Sequence, residues 1–435
     1  MNKLPDNFCM APWTHTYLSP QHERRLCCAS REPAQNFKQY LDTGGGDGSY
    51  SPLTLEQHWN SDHIRSVRRR MMANEELPEC VVCNNKILNT SVYKNYFNQL
   101  FGHKYQQVID ATAPDGFTSV TPVSWDYRFT NLCNFKCRMC GHMLSSAWET
   151  EIRTHDSKLD LTLPENAWMR PDIKKQIEQF TDQVVVKEFL TAVENKTIEE
   201  IYWVGGEPLM WDIHWTAMKR IVELGYANKV YPRYNTNLSR VDFQGDNLFQ
   251  ILKNYKDWQI CASIDGTGAI GEYIRTGLKY DEWLENFKQG MTIQTNPRQM
   301  RLDVTLTLPG LFDIDNLIKL STELNVMMLT KVCYAFDAKL IMSPLCLPRP
   351  LLEKTIERII KSNKLKVNLH GQLIDVLLNM KSRKTFEEEW PDTVHNDLKR
   401  GKYRIQRLES IRPCSTDLRT ILSADSEILQ WWDNI

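Results

Sequence analysis

From residue 120 to about 345, short runs rich in β-branched and aromatic residues alternate with segments whose apolar positions recur at helical spacing. The runs predict strands near 124–130, 199–204, 229–235, 258–264, 300–308 and 327–335, and the segments between them predict helices, for example over 213–225, 281–294 and 314–324. Strands alternating with helices imply βα units and a parallel sheet, and six such units make a partial version of the TIM-type barrel. After residue 349 the pattern becomes purely helical. Leu351, Leu352, Ile356, Ile359 and Ile360 recur at helical spacing, as do Leu373, Val376 and Leu377. Before residue 110 neither period is sustained and cysteines stand out instead. The expected fold class is therefore α/β: a partial (β/α)6 TIM-type barrel over 120–348, a small cysteine-rich amino-terminal module over 1–110 and a helical carboxyl-terminal extension over 349–435. Ala111–Gly116 reads as the linker before the barrel.

Composition sharpens the picture in two places. A chain of 435 residues with 42% hydrophobic and 25% charged residues is globular and too long for one ordinary core. Its net charge of -1 gives no global argument for nucleic acid or an anionic membrane, and no apolar run is long enough to cross a bilayer. A cytoplasmic protein without nucleic-acid or membrane partners is expected. Lys381–Lys384 and Lys399-Arg400 read as solvated faces, and Gly44–Gly48 as a flexible surface loop. Twelve cysteines in a reducing compartment point to metal ligation rather than disulfides.

Three of them stand as Cys133-Asn-Phe-Lys-Cys137-Arg-Met-Cys140 just beyond the first barrel strand. Three thiolates leave one coordination position open, as a catalytic metal site requires, whereas a structural zinc site closes with a fourth ligand. Other polar groups fall at later strand ends, where barrel active sites lie. They are Gly205-Gly206-Glu207-Pro208, Asn235 and Asn237, and Ser263 and Asp265, with Arg275 on the helix that follows. Glycines admit close backbone approach, a carboxylate pairs with an ammonium, and the arginine fork suits a carboxylate. Plain turn chemistry also accounts for the asparagines, and a surface ion pair for Arg275. The spacing CxxxCxxC followed by Gly-Gly-Glu resembles the radical S-adenosylmethionine (SAM) superfamily. The resemblance implies a 4Fe–4S cluster on Cys133, Cys137 and Cys140 whose fourth iron is chelated by SAM. It further implies that Gly205, Gly206 and Glu207 receive the cofactor's amino group, that Ser263 and Asp265 contact its ribose, and that Arg275 meets its carboxylate. Asn235 and Asn237 are candidates for ribose or carboxylate contacts. Met139 stands where many members carry an aromatic residue.

The amino-terminal cysteines extend the resemblance. Phe8-Cys9-Met-Ala-Pro12-Trp13, Leu26-Cys27-Cys28 and Pro78-Glu-Cys80-Val-Val-Cys83 resemble the SPASM/twitch auxiliary-cluster modules of that superfamily. In the family pattern a glycine precedes the second cysteine by five residues. His22 occupies that position here, which favours Cys27 over Cys28. Asn89 and Tyr93 stand where the longer SPASM pattern has further cysteines, so the shorter twitch-type version with one auxiliary 4Fe–4S cluster on Cys9, Cys27, Cys80 and Cys83 is expected. These modules usually follow the barrel, and here the cysteines precede it. A structural four-cysteine zinc site is the competing reading.

The resemblance implies that one-electron reduction, by a partner such as flavodoxin or ferredoxin, leads to SAM cleavage and a 5′-deoxyadenosyl radical. That radical takes a hydrogen atom from a substrate, and the auxiliary cluster accepts an electron. Peptide or protein modification is the expected use. Oxidation or modification of a small molecule, sugar or nucleotide is the alternative, and a non-catalytic zinc scaffold the alternative of another class. Cys261, Cys333 and Cys414 read as buried small hydrophobes, and Cys346 is left open as a hydrogen-atom donor.

Overall fold

A computed structural model describes residues 4–32, 50–85, 91–156, 159–161, 164–333 and 340–435. The glycine loop over 44–48, Asn89 and the last two residues of the strand expected over 327–335 lie outside them. The described strands are β1 (His15–Leu18), β2 (Arg24–Arg25), β3 (Ser124–Tyr127), β4 (Lys136–Cys137), β5 (Glu200–Trp203), β6 (Tyr231–Thr236), β7 (Asp242–Phe243), β8 (Asp246–Asn247), β9 (Gln259–Ser263), β10 (Arg275–Thr276), β11 (Met300–Leu306) and β12 (Met328–Val332). All six strands expected from the pattern form, each within the run that predicted it or a residue beyond. The helices Asp212–Glu223, Tyr280–Ile293 and Ile314–Leu324 fall where helical spacing placed them. The fold is α/β with mostly parallel strands, consistent with a partial TIM-type barrel and a helical carboxyl-terminal region. Two compact units divide it: residues 1–132, 150–233 and 250–258 in the first, and 133–149, 234–249 and 259–435 in the second.

In the first unit β1, β3 and β5 form a parallel ladder, with Thr16 opposite Trp125 and Trp125 opposite Ile201. The short β2 pairs antiparallel with β1. Every residue of β1 and β3 is buried, as expected for a parallel sheet covered on both faces. Trp125, Phe129, Phe189, Trp203 and Trp211 pack edge to face around this ladder, with Phe189 centred 5.3 Å from Phe129 and 5.6 Å from Trp203. Such geometry sets the positive ring edge against the negative ring face. A separate apolar cluster, with Phe8, Met10, Trp13, Val67, Met71 and Phe97 among its members, lies under the cysteine-rich segment. Strand β1 went unpredicted, because neither period is sustained in the segment before residue 110 that contains it.

In the second unit β9, β11 and β12 are parallel, with Leu302 opposite both Ala262 and Met328. Met300, Leu302, Val304 and Leu306 have no solvent exposure. Strand β4 pairs antiparallel with β10, and β7 with β8 through a turn at Gln244 and Gly245, both at positive φ. The helices Arg349–Ser362, Val367–Ser382 and Val394–Ile411 follow. Leu352, Ile356, Ile359, Leu373 and Leu377 are fully buried, while Ile360 faces outward. Trp432 is buried with the Lys402 ammonium 5.0 Å from its ring centre, which is ordinary packing. Among the described residues no helix is long and apolar enough to cross a membrane.

Candidate cluster and cofactor site

The loop carrying Cys133, Cys137 and Cys140 belongs to the second unit and is fixed at each cysteine. The Cys133 amide donates to Ser146 Oγ at 3.1 Å. Cys137 sits on β4 opposite Arg275 on β10. The Cys140 amide closes a turn onto the Cys137 carbonyl at 2.9 Å, and the Trp148 indole N–H donates to that same carbonyl at 2.8 Å. Close backbone approach is built in at Gly277, whose φ is 113° and whose missing Cβ would stand 2.8 Å from Phe135. Cys137 is buried, and burial pushes its thiol up to about 12 while Arg275 pulls the other way. A buried thiolate at this position therefore calls for a cation beside it.

Arg275 differs from expectation in two ways. It is the first residue of β10, not part of the preceding helix, and its guanidinium is committed within the unit. Its Nη2 donates to Asp265 Oδ1 at 3.1 Å and its Nε lies 2.7 Å from Oδ2, while Nη1 comes within 3.9 Å of Cys137 Sγ. An arginine held out of water needs a counter-charge, and Asp265 is that charge. Asp265 also accepts from the Thr305 amide at 2.7 Å. Asn235 donates to Asp303 Oδ2 at 2.7 Å, and Lys331 Nζ donates to that oxygen at 2.8 Å. Asn237 Oδ1 accepts from the Ser239 amide at 3.0 Å, a local turn, while its Nδ2 donates to Asn134 Oδ1 at 2.9 Å. Ser263 ends β9, in register with Asp303.

The Gly-Gly-Glu turn belongs to the first unit and follows β5. Gly205 and Gly206 have φ of 93° and 53°. A Cβ on Gly206 would stand 2.5 Å from the Leu132 carbonyl oxygen, and one on Gly205 2.8 Å from the Arg128 side chain. Only glycine fits both the backbone and the space. Glu207 is buried, donates its amide to the Leu132 carbonyl at 2.7 Å and caps the next turn by accepting from the Leu209 amide at 3.1 Å.

In the first unit the four amino-terminal cysteines named from sequence come together. Cys9, Cys27, Cys80 and Cys83 all line one cavity, partly open to solvent. Cys28 does not line it and instead lies near Asp126 and Arg128, hydrogen-bonded to the Tyr93 hydroxyl. Tyr93 itself lines the cavity. His22 adopts φ 66°, the backbone region that favours glycine. Burial pushes the Cys80 thiol up to about 12 and raises Cys9 and Cys27 as well. As the side chains stand, no three His, Cys, Asp or Glu groups among the described residues converge at ion-binding distance. All twelve cysteines are free thiols.

Residues 127–313 match the model of the Radical SAM superfamily. The residues thus form a radical SAM domain. Within that match lie Cys133, Cys137 and Cys140, Gly205 to Glu207, Asn235, Asn237, Ser263, Asp265 and Arg275; Cys9, Cys27, Cys80 and Cys83 lie outside it. No curated protein matches the chain. Among solved structures the chain is similar to Streptococcus suis SuiB bound to S-adenosylmethionine, at 13% identity and a TM-score of 0.34, over 68% of this chain and 63% of that one. It is also similar to the same protein bound to precursor peptide SuiA, at 13% identity and a TM-score of 0.35, over 78% of this chain and 71% of that one. The chain thus spans less than two thirds of the length of the first of these.

A radical SAM domain implies a 4Fe–4S cluster and SAM. The three thiols on one loop fit such a cluster by their chemistry, soft donors with one ligand fewer than a closed cage. Sequence reasoning missed three groups around this loop and the strands beside it. Lys331 reaches Asp303 only through the β11–β12 register, Thr305 standing opposite Lys331. Arg138 could have been flagged by lying inside the motif, whereas Arg412 carried no signal at all. Cys414 also departs from expectation: it is exposed, not buried, and accepts from Arg138 Nη2 at 3.3 Å. Cys261, Cys333 and Cys346 are buried.

Proposed function

We propose that this radical SAM enzyme oxidises a peptide or protein substrate, with an auxiliary 4Fe–4S cluster on Cys9, Cys27, Cys80 and Cys83 as electron acceptor. The observation that carries the auxiliary cluster is the gathering of these four thiols, and not Cys28, around one cavity. Peptides are favoured as substrates by the resemblance of these cysteines to SPASM/twitch modules. Cys133, Cys137 and Cys140 hold the first cluster, and Gly205, Gly206, Glu207, Asn235, Asn237, Ser263 and Asp265 contribute the SAM-binding groups. When bound and reduced by a flavodoxin or ferredoxin, these cofactors supply a 5′-deoxyadenosyl radical able to take a hydrogen atom from an unactivated carbon. The protein's own part is positioning. Arg275 and Asp265 hold a fixed, neutral pair beside Cys137, and the glycine turn exposes backbone for close approach.

Anaerobically purified protein reduced with dithionite is expected to convert SAM to 5′-deoxyadenosine, and Cys137→Ala to lose this conversion entirely. Turnover that survives the substitution refutes the cluster assignment. A colourless protein that holds zinc and no iron overturns the enzyme reading as a whole.

A further inference from the structure

The cluster loop is gripped from behind by the end of a helix that follows it by more than 250 residues. The helix Val394–Ile411 terminates at Arg412, its C-cap, whose amide still bonds the Leu408 carbonyl. Arg412 is 2% exposed and donates Nη1 to the Lys136 carbonyl at 2.8 Å. Its guanidinium lies 4.2 Å from the centre of the Trp148 ring, and Trp148 is the residue whose indole N–H holds the Cys137 carbonyl. Two successive carbonyls of β4 are thus fixed, one by Arg412 directly and the next by the ring on which Arg412 stacks. A second arm starts one turn earlier on the same helix. Glu409 Oε1 accepts from the Tyr273 hydroxyl at 2.7 Å, and Tyr273 lies under Arg138 with the guanidinium carbon 3.9 Å from the ring centre. Arg138, 1% exposed, then bonds Thr276 Oγ1 at 2.8 Å and Cys414 Sγ at 3.3 Å.

We propose that Arg412 is a positioning residue for the SAM-binding cluster: from the carboxyl-terminal extension it fixes the carbonyls flanking Cys137 and sets a permanent positive charge behind the cluster loop. The proposal rests on the reading of Cys133, Cys137 and Cys140 as cluster ligands. Groups in the shell behind a metal's ligands orient them, and losing one costs roughly 10- to 100-fold in metal affinity. Arginine suits the place because one planar group both donates to a carbonyl and stacks on an indole. A cation there favours the reduced cluster, which carries one more negative charge.

The test compares Arg412→Gln, which keeps a donor and removes the charge, with Arg412→Lys, which keeps the charge and loses the planar stack. In holoprotein, Arg412→Gln is expected to lower the midpoint potential of the SAM-binding cluster, followed by electron paramagnetic resonance. It is also expected to surrender iron to a chelator with roughly 10-fold weaker retention. Arg412→Lys is expected to recover the potential but not the retention. In iron-free protein, hydrogen exchange is expected to rise over residues 133–149 in both variants, while the helix Arg349–Ser362 stays protected. Wild-type potential and chelator resistance in Arg412→Gln overturn the proposal, as does unchanged exchange over the loop. Exchange tests the grip without any cluster. Its failure therefore stands apart from failure of the cluster reading, which shows as wild-type iron that does not change when Cys137 is replaced by alanine.

Discussion

A Cβ has a radius and a carbonyl oxygen does not yield, so Gly206 is a residue at which even the smallest substitution should do harm. A Cβ on Gly205 would meet the Cβ, Cγ and Cδ of Arg128 at 2.8 Å, whereas one on Gly206 would meet the Leu132 carbonyl oxygen at 2.5 Å, a backbone atom held by the Glu207 amide. Gly206→Ala adds the cost of φ 53° for a residue with a side chain, about 1–3 kcal/mol for a strained backbone position, to a steric overlap that only backbone movement relieves. Thermal unfolding should therefore show a larger loss for Gly206→Ala than for a control such as Gly225→Ala, where φ is 74° but nothing lies within 4 Å. Equal losses in the two variants would mean that conformation alone, not the close approach to Leu132, explains the glycine. Sequence pointed to this pair for its expected role toward the cofactor, and the structure adds the packing reason that no other residue fits.

At the scale of an element, what could be read from sequence was whatever repeats along a single segment. The alternation in Arg301–Leu308 and the unbroken apolar face of Leu352, Ile356 and Ile359 gave β11 and a buried helix directly. What could not be read was whatever depends on a partner far along the chain. Strand β1 finds its place only beside β3, more than 100 residues on, and Arg412 meets Lys136 across 276 residues. The turn between β1 and β2 shows both sides of this. Its family-like spacing was visible, but the device that holds a histidine at φ 66° was not. Thr181 donates its hydroxyl to the Ile177 carbonyl at 3.0 Å and so accepts from His22 Nε2 at 2.9 Å, while Nδ1 faces the Tyr50 hydroxyl. Nε2 thereby carries a proton. Burial, helped by nearby Arg24, lowers its pKa from 6.5 to about 3. In that interval the unfolded chain binds a proton that the folded chain refuses. The stability is complete above about 6.5 and is lost as pH falls towards 3, by roughly 1.4 kcal/mol per pH unit for this one group. His22→Asn keeps a residue that tolerates positive φ and cannot titrate, so its unfolding free energy should fall less steeply between pH 6 and 4, by about one proton's worth of slope. An unchanged slope would mean that His22 is protonated in the folded protein.

For the whole molecule, the question is whether the first hundred residues are part of the redox machinery or only a cover for it. Their cysteines lie outside the radical SAM domain match, yet β1, threaded between Cys9 and Cys27, belongs to the same parallel ladder as β3. A module joined through a shared ladder is held more rigidly than one on a linker, because each backbone bond of the ladder would have to open for it to move. The module can be tested on its own: its thiols can be replaced while Cys133, Cys137 and Cys140 stay as they are. Cys80 and Cys83 are the pair to replace, since one caps and the other lies within a short helix, Val81–Asn84, and neither belongs to β1. With both as alanine, iron should fall from about eight to about four per chain, since each cluster holds four. Reductive SAM cleavage should persist at a measurable rate, because the first cluster keeps its three thiols, while turnover to oxidised product should stop for want of an electron acceptor. Iron that stays near eight would show that these cysteines hold no cluster, and iron near four in the wild type with equimolar zinc would assign the cavity to a structural metal instead.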